Sequence, residues 1–193
     1  MKRAIFGGTF DPIHNAHLAV AREARDRFAL DQVLFVPAAT PPHKPVNTGF
    51  AHRARMAELA IAGEAGLAVS RIEEHREQSY SILTIEELRA ADPRCGFYFL
   101  IGADAFSEIE TWFRWRDVIR AIGFIVVSRP GHVYDIPEGA RVARLETLAM
   151  DVSSTRIRRE FAAGRVPGEV PGPVARYILD HGLYGCAKPD RMP

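Results

Sequence analysis

Short apolar runs alternate with helical stretches along the whole chain, and this alternation leaves few folds open. Strand-length runs fall at residues 4–6, 32–36, 67–72, 97–101, 123–127 and 144–150. Between and after them, residues 16–28, 51–62, 82–91, 105–108, 115–120, 153–163 and 173–181 carry helical spacing or helix boundary signals. Strand and helix in turn, joined by short connections, predict an α/β doubly wound parallel sheet. Phe97-Tyr98-Phe99-Leu100-Ile101 is the most apolar run, expected as a central strand buried on both faces. In the helix over 51–62, Arg53, Arg55 and Glu58 are expected on the wet side, and Ser81 or a neighbour is expected to cap the helix over 82–91. A chain of 193 residues fits one domain. We expect that domain over 1–184, with a small helical C-terminal part at about 153–184 and a tail at 185–193. In an open sheet of this kind, ligands meet the carboxyl ends of the strands.

The chemistry concentrates at one such end. Gly7-Gly8-Thr9-Phe10-Asp11-Pro12-Ile13-His14-Asn15-Ala16-His17 joins the first strand to the first helix. Glycines let a ligand approach the main chain, and a helix N-terminus adds about half a positive charge, so the stretch suits a phosphate. His14 and His17 are three apart and share a helix face, so both rings can address one anion. The competing use of such a pair is zinc ligation, for which no third ligand stands nearby in the sequence.

A second segment breaks a local rule. Ser153-Ser154-Thr155 opens a helix whose first turns carry Arg156, Arg158 and Arg159, although helix starts disfavour cations. An anion at that end resolves the conflict. Arg158 shares a face with Ser154 and Thr155 and is read as an anion ligand; Arg156 and Arg159 are read as solvated charge. Gly102 and Asp104 follow the central strand, where Asp104 suits a ribose or metal-side contact. Trp112-Phe113 is either core or a stacking platform. The loop over 37–45 is proline-rich and sets His43 beside Lys44. His52, His75, His132 and His181 have no evident partners and are read as structural or exposed.

Composition removes other classes. The net charge of +1 gives no global field to draw the chain to nucleic acid or an anionic membrane. No apolar stretch is long enough to span a bilayer, and Met1-Lys2-Arg3 runs straight into a strand. Cys95 and Cys186 lack metal-type spacing and fit reduced thiols in a cytoplasm.

Together these residues resemble a known family. Gly-Gly-Thr-Phe-Asp-Pro-Ile-His-Asn-Ala-His resembles the first signature of the His-x-Gly-His nucleotidyltransferase superfamily, with Ala16 where Gly is usual. Val152 to Arg158 resembles its second signature, Ile-Ser-Ser-Thr-x-Ile-Arg. Within it the chain is similar to the bacterial nicotinate-nucleotide adenylyltransferases. That likeness rests on Pro41-Pro42-His43-Lys44, Ser79-Tyr80-Ser81, Ile101-Gly102-Ala103-Asp104, Thr111-Trp112, Ser128-Arg129-Pro130-Gly131 and the ending from Val174 to Tyr184.

The resemblance implies a Rossmann-like nucleotidyltransferase fold and adenylyl transfer from ATP, with Mg²⁺, to nicotinate mononucleotide, giving the deamido dinucleotide and pyrophosphate. It implies His14, His17 and Arg158 as catalytic residues. ATP would be bound by these with Gly7, Gly8, Thr9, Phe10, Gly102, Asp104, Ser154 and Thr155, and no protein side chain would be a fixed metal ligand. Nicotinate mononucleotide would be bound by Thr40, His43, Lys44, Ser81, Ile82, Trp112, Phe113 and Arg129. The expected partners are these small molecules, with no nucleic acid and no membrane; homo-oligomerisation stays open. So do a related acceptor, such as phosphopantetheine or nicotinamide mononucleotide, and a nucleotide-binding module without catalysis.

Overall fold

The computed structural model describes residues 1–41, 46–147 and 152–186. Six strands form a single sheet: β1 (Lys2–Gly8), β2 (Gln32–Pro37), β3 (Leu67–Val69), β4 (Gly96–Gly102), β5 (Gly123–Ser128) and β6 (Val142–Glu146). Their order is β3-β2-β1-β4-β5-β6, and every pair is parallel. The chain therefore winds outward from β1 in one direction and from β4 in the other. The crevice between those two carboxyl ends is where such sheets take ligands. Phe6 lies opposite Leu100, so Gly7-Gly8 and Ile101-Gly102 leave the sheet side by side.

Alternation along the strands divides the core in two. Ala4, Phe35, Leu100 and Ile125 face one layer, where helices α1 (Asn15–Arg27), α2 (Phe50–Ala60), α6 (Ser154–Ala162) and α7 (Gly172–His181) contribute Leu18, Met56, Phe161 and Ile178. Ile5, Val36, Phe99 and Val126 face the other, covered by α3 (Ser81–Ala91), α4 (Ala103–Ser107) and α5 (Trp115–Ala121) through Ile85, Phe106 and Val118. Phe10, Ile13, Ile157 and Val174 belong to the first layer, so the C-terminal helices share a core with the start of the chain. No helix among the described residues is long and apolar enough to cross a membrane.

Four expectations change. The third strand stops at Val69, and turns and bends over residues 72–78 follow instead of its continuation. Ser81 is the first residue of α3 and does not cap it; Tyr80 holds the cap position with no side-chain cap bond. Arg53 is not on the wet side of α2 but is 1% exposed. It lies in phase with the buried stripe of Ala54, Met56 and Ala57, and carbonyl oxygens of neighbouring loops satisfy its guanidinium. The sixth strand lies at Val142–Glu146, and residues 148–150 of the expected run fall outside the described residues.

Candidate active site

Past the end of β1 lies a cleft of about 400 Å³. The opening segment lines it with Gly8, Thr9 and His17, and the start of α6 with Ser154, Thr155 and Arg158. Two stretches some 140 residues apart in sequence thus share one cavity, held by direct bonds. Arg158 donates to the Asp11 carbonyl at 2.8 Å, and Ser154 Oγ donates to the Pro12 carbonyl at 3.3 Å. Arg158 also reaches Thr155 Oγ1 at 3.2 Å, which aligns the guanidinium with the hydroxyl three residues before it. Gly8 is required by space: a Cβ there would lie 2.9 Å from the Phe10 ring. That ring is itself fixed, edge-on to Phe6 at 5.7 Å and packed on Phe35 at 5.5 Å.

The two histidines divide their roles by depth. The His17 ring lines the cleft, and the His14 ring stacks behind it with centroids 3.7 Å apart. The His14 backbone N–H donates to His17 Nδ1 at 3.3 Å. A ring nitrogen that accepts carries no proton, so neutral His17 is protonated at Nε2 and offers a donor. Burial, and His14 beside it, hold the His17 pKa well below the usual imidazole value. Burial pushes His14 down to about 4 against the pull of Glu169. Both rings are therefore neutral near pH 7. His14 Nδ1 is buried with no partner. Among the described residues no group of three His, Cys, Asp or Glu side chains is placed to hold a metal ion.

In the wall of the cleft and behind it stands a set of groups that the sequence reading assigned no role. Asp11, 3% exposed, accepts from Tyr184 Oη at 2.8 Å and from the Asn47 N–H at 3.0 Å. Burial, with Asp11 beside it, raises the Tyr184 phenol, which keeps it a donor. Arg53 donates to the carbonyls of Thr9 at 2.8 Å, Thr48 at 2.9 Å and Ala39 at 3.2 Å. Burial lowers the Arg53 pKa, opposed first by Asp11. Asp11 was legible as part of the first signature. Arg53 was legible only as a charge in phase with an apolar stripe.

A second, narrower cleft of about 180 Å³ lies in the crevice between β1 and β4 and shares Gly8 with the first. Ile5, Val36, Phe99 and Ile101 give it apolar walls, Trp112 stands at its side, and Ser81 and Glu73 supply polar groups. Trp112 is held edge-on by Phe99 at 5.8 Å. Ser81 and Ile82 open α3, so their N–H groups have no acceptor within the helix. Glu73, 5% exposed and read in the sequence only as part of a charged run, accepts from Thr84 Oγ1. Arg76 donates to that same hydroxyl at 3.0 Å, which ties the segment before α3 to the helix.

The remaining expected site residues distribute unevenly. Gly7 and Gly102, both expected at ATP, line the narrower cleft instead. Asp104 is exposed in the first turn of α4 and lines neither cleft. Phe113, 49% exposed, packs on Tyr80 at 4.5 Å, outside the cleft its neighbour Trp112 lines. Thr40 stands beside the narrower cleft, its N–H bound to Ser79 Oγ at 3.0 Å. Arg129 follows the end of β5 and is exposed. Arg156, read as solvated, pairs with Glu169, and Arg159 is exposed. His43 and Lys44 lie outside the described residues.

The cytidylyltransferase-like family model matches residues 5–160. A Solibacter usitatus protein named "Probable nicotinate-nucleotide adenylyltransferase" is 58% identical over 187 residues, covering 95% of this chain and all of that one. A Gloeobacter violaceus protein of the same name is 44% identical, covering 93% and 94%. The solved structure of Plasmodium falciparum nicotinic acid mononucleotide adenylyltransferase complexed with NaAD superposes with a TM-score of 0.80 over 96% of this chain and 98% of that one; at 20% identity this likeness is one of fold. With the signatures, the strand order and these relatives in agreement, the chain belongs to the cytidylyltransferase-like family and, within it, to the nicotinate-nucleotide adenylyltransferases.

Proposed function

We propose that the protein transfers the adenylyl group of ATP to the phosphate of nicotinate mononucleotide, forming the deamido dinucleotide and releasing pyrophosphate. The observation that carries this reading is the pair of clefts meeting at Gly8. A triphosphate in the wider cleft and a mononucleotide in the narrower one would bring an acceptor phosphate oxygen to the α-phosphorus. That oxygen forms the new P–O bond, the bond to the β-phosphate bridging oxygen breaks, and its electron pair leaves with pyrophosphate. No enzyme nucleophile is needed. Such a transfer depends on positioning and on stabilising charge on the equatorial oxygens.

Each residue then has a task. His17 donates from Nε2 to an α-phosphate oxygen, and a neutral donor there needs no proton exchange during the reaction. The start of α6, with Ser154, Thr155 and Arg158, holds the departing phosphates. His14, stacked behind, keeps the His17 ring in place. Mg²⁺ comes in with the triphosphate as part of the substrate. Asp11, a carboxylate lining this cleft, accepts from Tyr184 and from the Asn47 N–H, and the ion would offset the charge of the phosphates it arrives with.

The narrower cleft favours the acid over the amide. The free N–H groups opening α3 and the helix dipole suit a carboxylate, and Trp112 offers a face to a pyridine ring. A hydrogen bond to a charged group contributes about 1.5–3 kcal/mol, so kcat/KM for nicotinate mononucleotide should exceed that for nicotinamide mononucleotide by about 10- to 100-fold. Dinucleotide formation from ATP, Mg²⁺ and each mononucleotide measures this. Equal values would remove the nicotinate assignment, and no product from either would remove the activity.

A further inference from the structure

The deepest charge in the described molecule is the guanidinium of Arg53, and the mechanism above leaves it without a task. Its three carbonyl partners come from separate places. Thr9 belongs to the turn lining the triphosphate cleft, while Ala39 and Thr48 stand near the two ends of the connection from β2 to α2. Ala39 adjoins Ala38, which lines the narrower cleft, and its N–H faces Glu73 Oε2 of that same cleft at 3.4 Å. A planar fork that reaches three fixed oxygens sets the separation between the strands of chain that carry them. A lysine, with a single point of charge, cannot reproduce that span. Asp11 supplies the nearby opposite charge and binds Asn47, one residue before Thr48, which repeats the same tie by a second route.

We infer that Arg53 is a positioning residue that fixes the triphosphate turn at Thr9 against the acceptor-side segment at Ala39, and so sets the approach of the two substrates. This rests on the reading of the two clefts given above. A residue acting on the relative placement of two sites should leave each site able to bind alone, and its loss should appear when both substrates must be aligned. Misplacement by about 1 Å can cost on the order of 100-fold in rate.

The test uses the full chain with Arg53→Lys and Arg53→Met. Three quantities are measured: the thermal midpoint, the dissociation constants of nicotinate mononucleotide and a non-hydrolysable ATP analogue each taken alone, and kcat per folded molecule with both substrates saturating. For Arg53→Lys we expect a retained fold, single-ligand constants within about 3-fold of wild type, and kcat lower by about 100-fold. Arg53→Met should lose kcat at least as far. Wild-type kcat per folded molecule in Arg53→Lys would overturn the assignment, as would weakening of one ligand alone. Failure of both variants to fold would also overturn it, because Arg53 would then serve stability only. A wild-type chain that binds both ligands but makes no dinucleotide would instead sink the activity, and the positioning role with it.

Discussion

His17→Ala should lower kcat by about two decades or more while changing the KM for ATP by no more than about 3-fold. The ring lines the triphosphate cleft, is walled by Phe10 at 5.1 Å and Phe6 at 6.0 Å, and presents Nε2–H because Nδ1 accepts the His14 N–H. A preorganised donor in a partly dry site stabilises charge that grows in the transition state, so its removal costs rate more than ground-state binding. The same geometry sets the pH behaviour. Because burial depresses the His17 and His14 pKa values, both rings are already neutral at their unfolded value of 6.5. Wild-type kcat should therefore hold level from about pH 8 down to about pH 6.5, with neither of these two rings gaining a proton in that window. Folding stability follows the sign of the shift. The unfolded chain takes up protons as pH falls through 6.5 and the folded chain does not, so the histidine contribution is fully present above 6.5 and is lost toward about 4. Steady-state rates for wild type and variant across this range check both statements. A His17→Ala rate near wild type would remove the residue from the chemistry.

The second large effect is on stability. Asp11→Ala should destabilise the fold by about 3 kcal/mol, because it strips the acceptor from a buried Tyr184 hydroxyl and from the Asn47 N–H and removes the charge that most offsets the burial of Arg53. For a domain of this size that is roughly 6–12 °C in Tm. Asp11→Asn keeps the shape and one acceptor oxygen and should lose about half as much. Thermal and urea melts of the two variants measure it. An alanine variant melting within about 2 °C of wild type would show that Asp11 does not hold the C-terminal Tyr184 to the opening loop.

The sheet was legible because its cues are local. Five-residue apolar runs such as 97–101 could only be buried strands, and the breaks at Gly7-Gly8 and Gly102 marked where they end. The parallel order, with β1 beside β4, follows from the alternation with helices and not from any single residue. The convergence of Ser154, Thr155 and Arg158 on the opening turn was legible for a different reason: a cation on the same face as two hydroxyls at a helix start suits an anion. What escaped was polar burial. Only helical phase separates Arg53 from the exposed Arg55 in the local sequence, and the carbonyls of Thr9, Ala39 and Thr48, which let a guanidinium be buried there, are supplied by other segments. Glu73 looked like the other charges of 73–77, and Thr84, which donates to it, lies eleven residues on. Phe113 shows the converse. Adjacent to Trp112, it was grouped with it, yet consecutive residues after the short 3-10 turn at Ile109–Thr111 point to different surroundings.

The central claim is that the glycine turn with His17 and the start of α6 clasp one triphosphate. A crystal structure of the protein with Mg²⁺ and a non-hydrolysable ATP analogue tests it most directly. The account predicts an α-phosphate oxygen within hydrogen-bond distance of His17 Nε2, and the terminal phosphates on Ser154, Thr155 and Arg158. A nucleotide whose phosphates lie away from His17, or that reaches only one of the two segments, would contradict it.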